Sequence, residues 1–236
     1  DAGVGEFGVS TIDDKMPYAY EEIWTYTGAS NGLRAAGGSN VLGYKNTFAG
    51  YTLSLEVDPG HAASATSNKG GSGDGGNSGA GTDRSGYNYA LTGSPIDGLN
   101  VGVGYGKEED SGTAAANKQD DTFTTGFATY SMGGLTVGYQ KSEGNGGTTA
   151  TKSNNVDIMG ASFNVNDNLA ISVNSMENEF DVPSGTNTTE ETDGFGISYT
   201  LGSASIRMLR AETTNKGGAS TAADVEHTEV SLMLSF

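Results

Sequence analysis

The sequence contains no cysteine, which removes disulfide staples and thiolate metal sites together and leaves the compartment open. Histidine is nearly absent, with only His61 and His227 far apart, and no nucleophile motif accompanies them, so a Ser-His-Asp hydrolase has no support. No pair of carboxylates is set at a spacing that would flank a glycosidic bond. The expectation is that the protein is not an enzyme. No apolar run approaches the length of a transmembrane helix, and a hydrophobic content of 34% is too low for a helical membrane protein. Cations are few: 12 Lys and Arg stand against 29 Asp and Glu, a net charge of −17. Nucleic acid, whose phosphates need a basic face, is therefore excluded as a partner. The charge suits either solubility in a salty medium or a negative field that favours cations. Nothing after Asp1 has the basic or apolar pattern of a signal peptide. The expectation is that a signal was removed or that the chain starts inside a longer protein.

Glycine is abundant, at 38 residues against 4 prolines, and from residue 41 onward the chain alternates. Tyr51, Leu53, Leu55 and Val57 alternate with Thr52, Ser54 and Glu56. Leu99, Val101, Val103 and Tyr105 alternate with Asn100, Gly102, Gly104 and Gly106, and Phe195, Ile197, Tyr199 and Leu201 with Gly196, Ser198 and Thr200. The last segment sets Thr228, Val230, Leu232, Leu234 and Phe236 against His227, Glu229, Ser231, Met233 and Ser235. Each is a strand with one apolar face and one polar or very small face. Gly102, Gly104 and Gly106 superficially match a phosphate loop, but they alternate along a strand with no helix after them, so they read as small residues on the polar face.

A soluble sandwich also alternates, and the connections separate the two cases. Tight links at 48–50, 95–98, 132–134, 166–168 and 202–203 alternate strictly with long polar links at 61–84, 108–120, 144–154, 181–190 and 214–223. Short turns at one end and long loops at the other are the rhythm of outer-membrane barrels. The predicted fold is therefore all-β, a transmembrane antiparallel β-barrel forming one domain over residues 1–236, with about eleven strands in 41–236. An odd number of up-and-down strands leaves the first and last pointing the same way, so they cannot close on each other antiparallel.

Residues 1–40 break the pattern. They hold Trp24, the acidic pairs Asp13-Asp14 and Glu21-Glu22, and Glu6, with little alternation. They read as a long loop folded inward to narrow a water-filled pore. Gly5-Glu6-Phe7-Gly8, then Asp13-Asp14, then Gly43-Tyr44-Lys45-Asn46, resembles the constriction-loop region of the general diffusion porins of Gram-negative outer membranes. Those porins carry Pro-Glu-Phe-Gly-Gly, further acids, and a following strand ending in Tyr-Arg-Asn. The terminal Phe236 resembles their assembly signal. The chain departs at Val4-Gly5, which stand in place of the proline, at Val9 for the second glycine, and at Lys45 for arginine. The resemblance implies a sixteen-stranded barrel whose loop follows the fifth strand. About eleven of a probable sixteen strands would then be present, with the rest expected before Asp1. It also implies a homotrimer in the outer membrane, in contact with lipid and lipopolysaccharide, passing small hydrophilic solutes by passive diffusion.

By that resemblance Glu6, Asp13 and Asp14 are the loop acids of the constriction, and Lys45 a facing wall cation. Arg207 is added because it opposes Ile206 and Met208, which points it into the lumen. Glu21, Glu22, Glu56 and Glu229 are further pore-lining candidates, although Glu21 and Glu22 suit a bulk-water position equally well. The net charge and the acidic loop together point to a cation preference. The alternative is a secreted or surface all-β module, adhesin-like, with calcium in its loops. Gly70 to Asn77, with Asp74 at its centre, has the composition of a calcium-binding repeat without its regular nonapeptide. Scattered loop carboxylates could still bind Ca²⁺. No other cofactor is expected.

Overall fold

The computed structural model describes residues 7–13, 15–27, 29, 41–58, 85–108, 120–145, 153–182, 185–219 and 221–235. Eleven strands form one antiparallel sheet in strict sequence order: β1 (Leu42–Phe48), β2 (Tyr51–Asp58), β3 (Gly86–Ile96), β4 (Leu99–Glu108), β5 (Asp121–Met132), β6 (Leu135–Asn145), β7 (Ser153–Asn166), β8 (Leu169–Asp181), β9 (Thr188–Leu201), β10 (Ala204–Thr214) and β11 (Val225–Leu234). β1 and β11 are the two edges of this sheet. All described joints at one end are tight. The first, Phe48 to Tyr51, has positive φ at both Ala49 (51°) and Gly50 (81°), the twist that matches a right-handed hairpin.

The sheet is inside-out by the standard of a water-soluble protein. Its apolar face is the exposed one: Val103 is 58% exposed, Val173 60% and Val230 67%. Its polar face is closed off, with Ser54, Ser142, Gln140, Asn178 and Thr192 all buried. Register confirms that each set shares a side. Leu55, Tyr89, Tyr105 and Thr124 follow one another across β2 to β5 on the outside, and Glu56, Asn88, Gly106 and Phe123 on the inside. An apolar surface running over every strand needs a lipid solvent. Tyr51, Tyr130, Phe163 and Tyr199 stand near the short turns on that surface, and Tyr87 and Tyr105 nearer the long links, as aromatic girdles do. Outward charge is found toward the long-link ends of the strands, where Lys141 pairs with Asp157 at 2.8 Å and Arg210 with Glu226 at 3.1 Å.

The expected inward loop is more structured than its lack of alternation suggested. It contains a 3₁₀ turn, Gly8–Ile12, and a single helical turn, α1 (Ile23–Thr27). Its Val9, Ile12, Met16, Ile23 and Trp24 pack with Phe123, Phe127, Val156, Ile158, Met176 and Leu209 of the inner wall. The one apolar core of the described residues is thus the joint between loop and wall. Each fully buried side chain there contributes roughly 1.5–3 kcal/mol, more than the net worth of one neutral hydrogen bond, about 1 kcal/mol. Apolar contact therefore holds the loop, and hydrogen bonds set its register. No second sheet covers the outer apolar face among the described residues.

Val173→Arg, on the outer face of β8, is expected to lower stability in lipid vesicles by about 2–4 kcal/mol. Denaturant unfolding of the vesicle-folded protein measures it.

Candidate functional site: the loop on the inner wall

The loop crosses the wall strand by strand. At its start the Gly8 amide donates to Ser54 Oγ on β2, and the Val9 amide to Asn88 Oδ1 on β3, both at 2.8 Å. Asn88 Nδ2 in turn donates to Glu56 Oε2 at 3.2 Å. These are the donors that a helical turn leaves without intrahelical partners. Further on, Gln140 Nε2 on β6 donates to the Ile12 carbonyl at 3.4 Å, Asn174 Nδ2 on β8 to the Pro17 carbonyl at 3.0 Å, and the Ala19 amide donates to Ser172 Oγ at 2.9 Å. The Tyr20 hydroxyl then donates to Glu229 on β11. Apart from Asn88, the third residue of β3, the contacts fall toward mid-strand, so the loop lies across the inner face near half height.

Bare wall makes this approach possible. A Cβ at Gly43 would enter the Phe7 ring, at Gly104 it would lie 2.8 Å from Val9 and 2.9 Å from Ile12, at Gly138 2.7 Å from Pro17, and at Gly194 2.6 Å from Ile23. The β4 glycines that superficially match a phosphate loop are gaps in this floor. Phe127 fills the one at Gly102 and Phe123 the one at Gly106. Gly8 is the tightest point. Its φ is +59°, and a side chain would collide with Asn88 Oδ1.

The far end of the loop meets a polar cluster on β10 and β11. The Arg207 guanidinium lies over the Tyr20 ring, 5.9 Å from its centroid, a cation–π distance. Tyr26 stacks on His227, with centroids 4.6 Å apart and planes 11° from parallel, and His227 Nε2 lies 3.9 Å from Glu229. Hydrogen bonding to Glu229 raises the Tyr20 and Tyr26 phenols above the ordinary tyrosine range, so both remain protonated donors at neutral pH.

The expected site residues are distributed as follows. Arg207 is on the inner face, in register with Ser198 and Ser231. Lys45 is also inward, opposite Ser54, and exposed. Glu229 is inward and half-buried, Asp13 is half-buried on the loop, and Glu21 is half-buried beside Glu22. Two of the pore-lining expectations need correction. Glu56 is 4% exposed and Glu22 5%, so both sit in the joint between loop and wall and present no open surface to a lumen. Glu6, Asp14 and Asp74 lie outside the described residues. Sequence reading missed Asn88, Gln140, Asn174 and Ser172, which hold the loop backbone. It also missed the apolar residues on the polar phase. Phe123, Phe127, Val156, Ile158 and Met176 alternate out of step with the lipid face, and that displaced phase is the signal that marks a loop seat.

An apolar outer belt, a polar inner face and a loop pinned across that face at half height define a β-barrel channel of the outer-membrane type. The sequence profile of the Gram-negative porins matches residues 4–231, and the chain belongs to that family. Its fold is similar to that of OmpT, an outer membrane protein of Vibrio cholerae, with a TM-score of 0.62 at 12% identity, covering 93% of this chain and 68% of that one. It is similar also to the outer membrane channel DcaP of Acinetobacter baumannii (0.57, 9% identity, 93% of this chain and 68% of that one). An anion-selective porin from Comamonas acidovorans is a further neighbour (0.57, 12% identity, 84% and 58%). No curated protein matches the sequence. A Gram-negative porin is located in the bacterial outer membrane.

Gly8→Ala is expected to cost about 2–3 kcal/mol, because a left-handed backbone is strained by a Cβ and the two amide bonds at Gly8 and Val9 are lost. Hydrogen exchange at the Val9 amide, rising toward that of an unprotected amide, checks it.

Proposed function

We propose that the protein forms a water-filled channel for passive diffusion of small hydrophilic solutes and ions, with a preference for cations. The observation that carries this reading is the loop laid across the polar inner face at mid-height, inside a wall whose outside is apolar. A chain in that position sets the cross-section through which a solute passes, and charges on it act in a lumen walled by low-dielectric material. Glu6, Asp13 and Asp14 are proposed as the loop acids, with Lys45, Arg207 and Glu229 as charges on the wall and Glu21 beside them.

The net charge of −17 supports the cation preference. The sign of selectivity is taken to be set by charge and not by the barrel fold. That sign rests with the charges on loop and wall. The reading includes a homotrimer in contact with lipid and lipopolysaccharide, no enzymatic activity, and Ca²⁺ held by carboxylates of the long links where it is present.

Reversal potentials in a salt gradient across a planar bilayer test the proposal. The expected sign is that of a cation-preferring pore, and a clear anion preference sinks it. Arg207→Gln removes a cation from the inner wall, so its reversal potential is expected to move further to the cation side.

A further inference from the structure

The end of the loop is held by something other than a strand. The long link between β10 and β11 turns back on itself at residues 215–218, with left-handed φ at Asn215 (50°), Gly217 (67°) and Gly218 (73°). The bend rests on the upper ends of β8 and β9. A Cβ on Gly218 would lie 2.4 Å from Thr188 Oγ1 and 2.8 Å from Phe180. The Gly217 amide donates to Glu190 Oε2 at 2.7 Å, and Glu190 is 2% exposed. From this footing Lys216 Nζ reaches the Thr27 carbonyl at 2.5 Å. Thr27 is the last residue of α1 and is fully buried.

Beyond Tyr20 the loop runs along the wall toward the bend. Ala19 and Tyr20 are tied at mid-strand, to Ser172 and Glu229. Ile23 lies over Gly194, and Thr27 meets Lys216, two residues beyond the end of β10. Tyr26, near the end of α1, stacks on His227, which shares a register row with Ala211 and Gly194, so α1 runs across β9 to β11 and Lys216 reaches its end from beyond the strand. A five-residue helix leaves its last carbonyls without intrahelical partners, and a lysine there is favoured by the aligned peptide dipoles.

We propose that the 215–218 bend is a clamp on the channel: Glu190 fixes the bend, and Lys216 holds the end of α1 against the wall, out of the solute path. Lys216 is a positioning residue. Release of its bond loosens the end of α1, while Ile23 and Trp24 stay packed on the wall, and lets that end move into the lumen and narrow it. The inference rests on the channel reading above, and it adds that an outer link governs the inner loop.

Two variants and two readouts test it in the reconstituted protein. Lys216→Met keeps the aliphatic stem and loses the donor. Glu190→Ala frees the bend and leaves the Lys216 charge in place. Both are expected to raise the frequency of closures in single-channel records, and to speed hydrogen exchange about tenfold across residues 20–27 with none across 8–12, the scale of one hydrogen bond to a charged group. Lys216→Arg, which retains a donor, is expected to behave as the wild type. Steady records together with unchanged exchange in both variants overturn the clamp. A gating change in Lys216→Met alone, without faster exchange, overturns it too, since that is the mark of a lumen charge. Wild-type protein that forms no channel defeats the channel reading instead, and the exchange measurement still decides whether the clamp exists.

Discussion

A chain can lie flat against a β-sheet only where the sheet has no side chains to hold it off. Gly43, Gly104, Gly138, Gly160 and Gly194 form such a track across β1, β4, β6, β7 and β9, each with a loop atom where its Cβ would be or close beside it. The rest of the arrangement depends on this near-contact. It brings the loop backbone within reach of Ser54, Asn88, Gln140, Ser172 and Asn174, whose hydrogen bonds fix its register. It also lets short apolar side chains of the loop reach apolar residues of the wall. A wall with side chains throughout would hold the loop off and leave it without a fixed height.

The same strands meet two solvents, and the division of labour follows from that. Lipid offers no hydrogen bonds, so every backbone group at that depth has to be satisfied within the sheet. The strict up-and-down ladder supplies this, one strand to the next. With the backbone committed to the ladder, only side chains are left to bind the loop. Side chains on one face are spaced two residues apart along a strand, which spreads the anchors across many strands and concentrates them on none.

The two ends of the described part of the loop are held differently. The first is held by wall side chains that accept from backbone amides at Gly8 and Val9. The second is held by Tyr20 donating to Glu229, by Arg207 over the Tyr20 ring, and by Lys216 from above. Charge is concentrated at the second end. Charged contacts in a confined lumen are stronger than in water, and their loss is correspondingly more costly, so this is the end where small chemical changes act on the loop.

Strand number, strand order, the membrane-facing side and the inward loop could all be read from the residues. Period-2 alternation and the alternation of short with long links are local features, and one chain carries them in full. The inward direction of Arg207 followed from the same parity, whereas Lys45 was placed by resemblance. The burial of Glu22 and Glu56 could not be read that way. Parity places a side chain on the inner face, and only the path of the loop decides whether that position is open or covered. Asn88, Gln140 and Asn174 looked like ordinary polar-phase residues, because their partners lie 79, 128 and 157 positions away. Sequence thus determined the wall, whose rules repeat every two residues. Tertiary structure alone decided where the loop rests on it, because that depends on contacts between segments with no sequence relation to each other.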